Sequence, residues 1–253
     1  MFSAHQTVQE GWQSFKSYPK LKQLYLYNIL FILVTAIAQL TPDSPFVKSG
    51  AAIVGILGSI ASLLCFYLSY MAIAHYVMNG WIFKTAHDFV KPPSSLWRLF
   101  WKTVVISFIA ILPLFVTGII IELFLSDGIA KFLLGGLMVL MALFWFIFVV
   151  VKLYVGIPHF SVRDQGSLRS LFDITDGYFW YLACVIGWVF IYALVIMILL
   201  GLIMILFGLI AFLSGPLGGL ITAFVVGVVQ ITASLLYIFI AAEAYKQIIE
   251  NKS

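Results

Sequence analysis

The sequence predicts an all-α polytopic membrane protein with six transmembrane helices, and three observations lead to that fold class. Only 9% of the residues are charged, whereas soluble domains carry about 25%. No Asp, Glu, Lys or Arg occurs between Asp176 and Glu243, a stretch that holds two spans at roughly 20 residues each. The apolar runs are long and continuous, which excludes the short alternating segments of a β-barrel.

The six predicted spans cover residues 22–40, 50–77, 103–125, 130–156, 178–208 and 218–243. Short turn-rich segments, "TPDSPFVKSG", "LSDG" and "LSGPLGG", separate the two members of each pair. The two longer connections, 78–102 and 157–177, contain most of the polar residues. The chain is therefore predicted to consist of three helical hairpins within a single transmembrane domain, 1–253.

The distribution of basic residues predicts the orientation of these spans. With six spans, the termini and both long connections lie on one side, which has twelve Lys and Arg residues, while the other side has two. Loops rich in Lys and Arg stay in the cytoplasm, so both termini are predicted to be cytoplasmic. Because the topology explains the net charge of +4, no nucleic-acid partner is predicted.

A short amphipathic segment precedes each odd-numbered span, which suggests a repeat with units of about 5–77, 94–156 and 167–246. Such segments typically lie in the plane of the lipid headgroups, with their apolar face against the acyl chains. In the third segment, the apolar side chains alternate with charged ones at helical spacing. The apolar set is Leu168, Leu171 and Phe172, and the charged set is Arg169, Asp173 and Asp176.

The stretch "YVGIPHFSVRDQGSLRSLFDITDGYFWYL" resembles YciC-type bacterial inner-membrane proteins and the membrane domain fused to some glycerophosphodiester phosphodiesterases. The pattern P-x-x-x-V-x-D-x-G, followed by serine and leucine, is typical of that group. The matching positions are Pro158, Val162, Asp164, Gly166, Ser167 and Leu171. The resemblance implies a multi-pass protein of the bacterial inner membrane without a catalytic domain.

One group of residues has the composition of a catalytic or metal site. His75, His87, Asp88, His159 and Asp164 are all predicted to lie on the cytoplasmic side, and imidazole and carboxylate groups bind metals. Their spacing matches no established motif, and the H-E-x-x-H, G-x-S-x-G and P-loop patterns are absent from the sequence. The favoured interpretation is a set of ordinary interfacial residues, so no catalytic residue, metal or cofactor is predicted.

Four polar residues within the apolar spans are candidates for the lining of a substrate path: Asn28, Lys152, Gln230 and Glu243. Polar residues in spans are costly and often functional. The structural alternative is that Lys152 and Glu243 extend to the interface, while Asn28 and Gln230 form hydrogen bonds between helices.

Three functions remain open at this point. The favoured one is a non-enzymatic membrane protein that handles lipids, maintains the envelope or serves as a subunit of a larger complex. The second is a transporter or channel for an apolar or lipid-like substrate, and the third is an intramembrane enzyme that uses the His/Asp cluster. Membrane lipids are the predicted partners, together with a membrane protein or a second copy of the chain.

Overall fold

The computed structural model describes residues 3–26, 28–29, 67–82, 93–124, 129–162, 167–214 and 216–252. In these ranges all regular structure is helical. The helices are α1 (Ala4–Ser17), α2 (Pro93–Phe124), α3 (Ile129–Leu153), α4 (Gly156–Val162), α5 (Leu168–Thr175), α6 (Phe179–Ser214) and α7 (Pro216–Lys252). Residues 21–26 and 67–79 are helical as well.

Within the described part of the chain, four helical stretches are long and apolar enough to cross a membrane: Leu99–Leu123, Leu133–Val162, Phe179–Ile196 and Gly227–Lys252. They lie in the regions of the predicted third to sixth spans. Most of the first two predicted spans lies outside the described residues, so the count of six and the three-unit repeat stay predictions. The chain is a helical, multi-pass membrane protein.

The three predicted amphipathic segments differ in how they join the next helix. Helix α1 ends at Ser17 and is followed by a turn at Pro19, and α5 is separated from α6 by Gly177, whose φ is +81°. The segment at 94–102 is instead continuous with α2, since no Gly or Pro interrupts the chain between Pro93 and Pro113. It is therefore the first part of a longer helix and has no break before the span.

The core lies around the C-terminal half of α7, where Phe239, Ile240, Tyr245 and Ile248 are almost completely buried. Helix α1 runs antiparallel to this half. Thr7, near the start of α1, contacts Gln247, while Phe15 near its end packs edge-to-face on Phe239. The first helix of the chain thus covers the last turns of the last one.

The backbones of α1 and α7 approach closely at Gly11. A Cβ atom at this position would lie 2.8 Å from the Cα of Ile240 and 2.7 Å from its Cγ1. Such distances are far inside van der Waals contact. Only glycine therefore allows the two helices to pack at this separation.

Candidate functional site

A groove of about 500 Å³ lies between α1, α6 and α7. Helix α1 provides one wall and the other two helices provide the opposite one. The lining residues are Val8, Gln9, Trp12, Gln13, Tyr192, Ile196 and Leu236. We refer to it as the α1 groove; its side chains are apolar except for the tyrosine hydroxyl, the indole N–H of Trp12 and two amides.

The polar side chains of the α1 groove all belong to α1, except Tyr192 of α6. Gln9 and Gln13 are exposed and are one helical turn apart, so both amides lie on the same face. Lys16 follows one turn later, with its ammonium 4.8 Å from the centre of the Trp12 ring. The lining of the groove therefore includes two amides, and a cation lies beside the Trp12 ring.

Helix α1 is held in place by a partly buried hydrogen-bond cluster at its N-terminal half. The Thr7 hydroxyl lies 2.8 Å from the Tyr181 hydroxyl and 2.7 Å from Oε1 of Gln247. Tyr181 also donates to Oε1 of Gln247 at 2.7 Å, and Nε2 of Gln247 donates to the Glu10 carboxylate at 2.5 Å. These four residues, the α1 latch, join α1 to α6 and α7.

A second set of contacts fixes the C-terminal half of α1. The Ser14 hydroxyl donates to the Glu243 carboxylate at 2.5 Å, and Glu243 is almost completely buried. Beyond the helix, Tyr18 packs edge-to-face on Tyr76 with ring centroids 4.8 Å apart. Burial, assisted by Tyr76, raises the pKa of the Tyr18 phenol, so this side chain stays neutral.

Of the predicted His/Asp cluster, His87, Asp88 and Asp164 lie outside the described residues. His159 is completely buried, with Nδ1 2.9 Å from the Tyr245 hydroxyl and Nε2 3.0 Å from the Ser170 hydroxyl. His75 stacks edge-to-face on Trp81, with centroids 5.8 Å apart. Over the described ranges, no three His, Cys, Asp or Glu residues are close enough to hold a metal.

The four candidates for a polar path have separate surroundings. Asn28 donates to the Leu24 carbonyl at 2.7 Å and to the Ser69 hydroxyl at 3.3 Å, which links it to the segment 67–79. The Lys152 ammonium lies 5.0 Å from the Phe148 ring centre and 5.1 Å from that of Phe172. Gln230 is exposed, and Glu243 accepts from Ser14.

The third amphipathic segment forms α5 and docks on α7. Ser167 caps the helix by accepting the Ser170 N–H at 3.0 Å. Leu171 is buried, whereas Arg169, Asp173 and Asp176 are exposed, and Leu168 and Phe172 are half-buried. The Lys252 ammonium of α7 donates to the Asp173 carbonyl at 2.6 Å. The charges thus lie on the side of α5 that faces away from the core.

Sequence reasoning did not identify the α1 latch or the contact at Gly11. A signal was present, because Thr7, Gly11 and Ser14 recur at i, i+4 and i+7 on α1, the spacing of small residues at close helix contacts. Gln247 similarly follows Glu243 by four residues on α7. The small residues of α1 therefore face the polar residues of α7 across the contact between the two helices.

The fold and the α1 groove define a multi-pass helical membrane protein with an apolar cavity beside its N-terminal helix. No family model, no curated protein and no solved structure matches the chain. The resemblance to YciC-type proteins stays a prediction from the local sequence pattern.

Proposed function

We propose that this protein is a non-enzymatic lipid-binding protein of the bacterial inner membrane, with six spans and cytoplasmic termini. In this proposal the α1 groove holds one acyl chain of an anionic phospholipid. The single observation that carries the proposal is the groove itself, an apolar cavity of about 500 Å³ beside an amphipathic helix. Pockets that bind small molecules have volumes of about 300–1,000 Å³.

The walls of the groove favour an apolar occupant. Two of its lining residues, Val8 and Leu236, are buried. Trp12 and Tyr192 provide amphipathic rings, which are typical of side chains at a membrane interface. A hydrocarbon chain gains dispersion contacts along such a surface. It has no polar group of its own that would need a partner there. An acyl chain meets this description because it is long, flexible and uncharged.

The edge of the groove favours an anionic headgroup. Gln9 and Gln13 present amide donors, and Lys16 adds a positive charge beside Trp12. A basic residue near an anionic membrane surface contributes about 1 kcal/mol of attraction. A phospholipid whose chain enters the groove would therefore place its phosphate near Lys16.

The hydrogen bonds of His159 favour a structural role for this residue. Both ring nitrogens of His159 contact neighbouring hydroxyls, those of Tyr245 and Ser170. The imidazole thereby links α4, α5 and α7, which is a structural role.

Photocrosslinking in lipid nanodiscs tests the proposal. Phosphatidylglycerol with a photoactivatable acyl chain should label peptides that contain Trp12, Tyr192 or Leu236. Ile196→Trp fills the groove and should reduce this labelling at least fivefold. The neighbouring Val195→Trp places the same ring at an exposed position outside the lining and should leave it unchanged. Equal labelling of both variants, or labelling spread evenly over all apolar helices, would contradict the proposal.

The headgroup is tested in the same assay with phosphatidylcholine as the competing lipid. Lys16→Gln should reduce the preference for phosphatidylglycerol, because it removes the cation beside Trp12. Lys252→Gln is the matched control, since Lys252 lies on α7 beside Tyr178 and the Asp173 carbonyl. If both substitutions have the same effect, the preference arises from net charge and not from the groove.

A further inference from the structure

Lys152 differs from every other lysine or arginine whose side chain the structure describes, because it is buried. Only 7% of its surface is exposed, whereas the others are exposed or half-buried. It lies in the last turn of α3, within the apolar stretch Leu133–Val162. A charged group is costly to bury without a partner, so the surroundings of this ammonium show what it can bind.

Two phenylalanine rings flank the Lys152 ammonium. Its Nζ lies 5.0 Å from the ring centre of Phe148, one turn earlier on α3, and 5.1 Å from that of Phe172 on α5. The faces of both rings attract the positive charge, but a phenylalanine ring has no nitrogen or oxygen that accepts a hydrogen bond. The three N–H donors of the ammonium form no hydrogen bond or ion pair within the described part of the chain.

The Lys152 ammonium is nevertheless accessible. Three tyrosine hydroxyls are the only fully enclosed side-chain nitrogen or oxygen atoms without a hydrogen bond among the described residues, and Nζ of Lys152 is not one of them. The nitrogen thus lacks a hydrogen bond and retains accessible surface, so a ligand atom can contact it. The two carboxylates of α5, Asp173 and Asp176, are exposed and make no ion pair with it.

The aromatic residues around this lysine are typical of the membrane interface. The ring of Phe179, at the start of α6, stacks on Phe148 with centroids 5.4 Å apart. Trp180 packs edge-to-face on Phe179, also at 5.4 Å, and is 78% exposed. Exposed tryptophans at the ends of spans lie at the level of the lipid headgroups. An anion at this depth is most readily supplied by the phosphate of a phospholipid.

We propose that Lys152 binds a phosphate group, with Phe148 and Phe172 holding its ammonium in place. Phosphate oxygens accept charge-assisted hydrogen bonds from the N–H donors that are unused in the protein, and lysine commonly binds phosphate in this way. A phospholipid headgroup and a soluble phosphate share this chemistry. The site is separate from the α1 groove, since none of these three residues lines that groove.

Equilibrium binding to the full chain in detergent micelles tests the inference. Ile196→Trp is the background, because it fills the α1 groove and removes its contribution. The labelled probes are dioctanoyl phosphatidylglycerol and inorganic phosphate, and at least one should bind saturably, with about one molecule per chain. Tighter binding of the lipid identifies a headgroup as the source, and equal or tighter binding of inorganic phosphate identifies a soluble one. Dioctanoylglycerol, which lacks the phosphate, should not compete.

Three further substitutions in this background separate the charge from the fold. Lys152→Met should weaken binding of the probe at least about tenfold, the effect of a lost hydrogen bond between charged groups. Lys152→Arg should retain binding, because a guanidinium also binds phosphate. Lys22→Met, at an exposed position of the segment 21–26, removes the same charge elsewhere and should bind as the background does. Thermal unfolding without lipid shows that each variant is folded.

The inference is overturned if neither probe binds saturably or if dioctanoylglycerol competes as well as phosphatidylglycerol. It is also overturned if Lys152→Met binds as tightly as Lys22→Met, or if Lys152→Arg loses as much binding as Lys152→Met. It does not depend on the α1 groove, because that groove is filled throughout. Lys16→Gln, which tests the headgroup in the groove, should therefore leave this binding unchanged.

Discussion

The C-terminal half of α7 and the N-terminal half of α6 are both apolar enough to cross a membrane, yet they occupy opposite environments. In the stretch Gly227–Lys252, 56% of the most apolar window is buried inside the protein, against 11% in Phe179–Ile196. The buried stretch has the lower mean hydropathy, 1.6 against 2.3. The span with the least apolar sequence thus lies at the centre of the described bundle.

The physical reason for this difference in burial is that the solvent around a span is lipid. A bilayer offers no partner to a polar group, so polar side chains within spans turn towards the interior of the bundle and form hydrogen bonds there. Glu243 and Gln247 do so, by accepting from Ser14 and by joining the α1 latch. Helix α6 can instead present Phe190 and Ile191 to its surroundings, because apolar side chains need no specific partner in lipid.

The largest expected effect concerns two phenylalanines on the two sides of this contrast. Phe239→Ala should lower the free energy of unfolding by about 3–5 kcal/mol, because it leaves a cavity in the packed core. Phe190→Ala should change it by less than about 0.5 kcal/mol, since Phe190 is 68% exposed. Reversible unfolding in mixed micelles measures the free energy of unfolding of both variants. Similar losses for the two variants would show that α7 is not the central helix.

The next effect comes from the α1–α7 contact. Gly11→Leu should destabilise the protein by about 2–3 kcal/mol and detach α1, because the new side chain overlaps the backbone of Ile240. The measurements are unfolding in mixed micelles and the rate of proteolysis at the N-terminus. Gly187→Leu is the control on α6, where no atom lies within 4 Å of an added Cβ. Fast proteolysis is expected for Gly11→Leu only.

A smaller effect is expected at the α1 latch. Gln247→Leu should cost about 1–3 kcal/mol, because Thr7 and Glu10 lose a hydrogen-bond partner within a buried site. The matched control is Gln230→Leu on the same helix, at an exposed position. Thermal unfolding in detergent should show a clear decrease for the first variant and none for the second. A decrease of equal size for both would mean that any glutamine on α7 has this effect.

The smallest effect is predicted at Lys152, which lies between the rings of Phe148 and Phe172. Lys152→Met keeps an unbranched side chain of nearly the same length and removes the charge. The variant loses a cation–π attraction of about 0.5–2 kcal/mol. This loss is offset because the variant no longer buries a charged ammonium, which is itself costly. The net change in thermal unfolding should therefore be small. A loss as large as that of Gln247→Leu would show that the ammonium has a further partner.

The sequence predicts the class of the fold because hydropathy is a local property. Long runs without Asp, Glu, Lys or Arg are sufficient to locate the third to sixth spans, and helical spacing on α5 separates Leu171 from Arg169 and Asp173. Hydropathy does not show which span is central. That depends on pairs such as Thr7 and Gln247, which are 240 positions apart and whose proximity is a tertiary property.

The candidate sites were less predictable for the same reason. Individual polar residues, such as Glu243 and His159, were recognised from their unusual positions in or beside apolar spans. Their partners, Ser14 and Ser170, are small side chains whose residue type carries little information. A cavity lined by Tyr70 and Tyr237 is bounded by five helical elements, and the α1 groove is bounded by three. No single stretch of sequence therefore contains the pattern of either one.

The antiparallel docking of α1 on α7 is the central claim, since it buries α7 and forms one wall of the α1 groove. Thiol crosslinking tests it most directly, in a chain whose native cysteines, Cys65 and Cys184, are replaced by alanine. A short bifunctional thiol reagent should join Ser14→Cys to Glu243→Cys rapidly in native membranes. It should not join Thr7→Cys to Phe239→Cys, which lie at opposite ends of the contact. Rapid crosslinking of the second pair with none of the first would contradict the account.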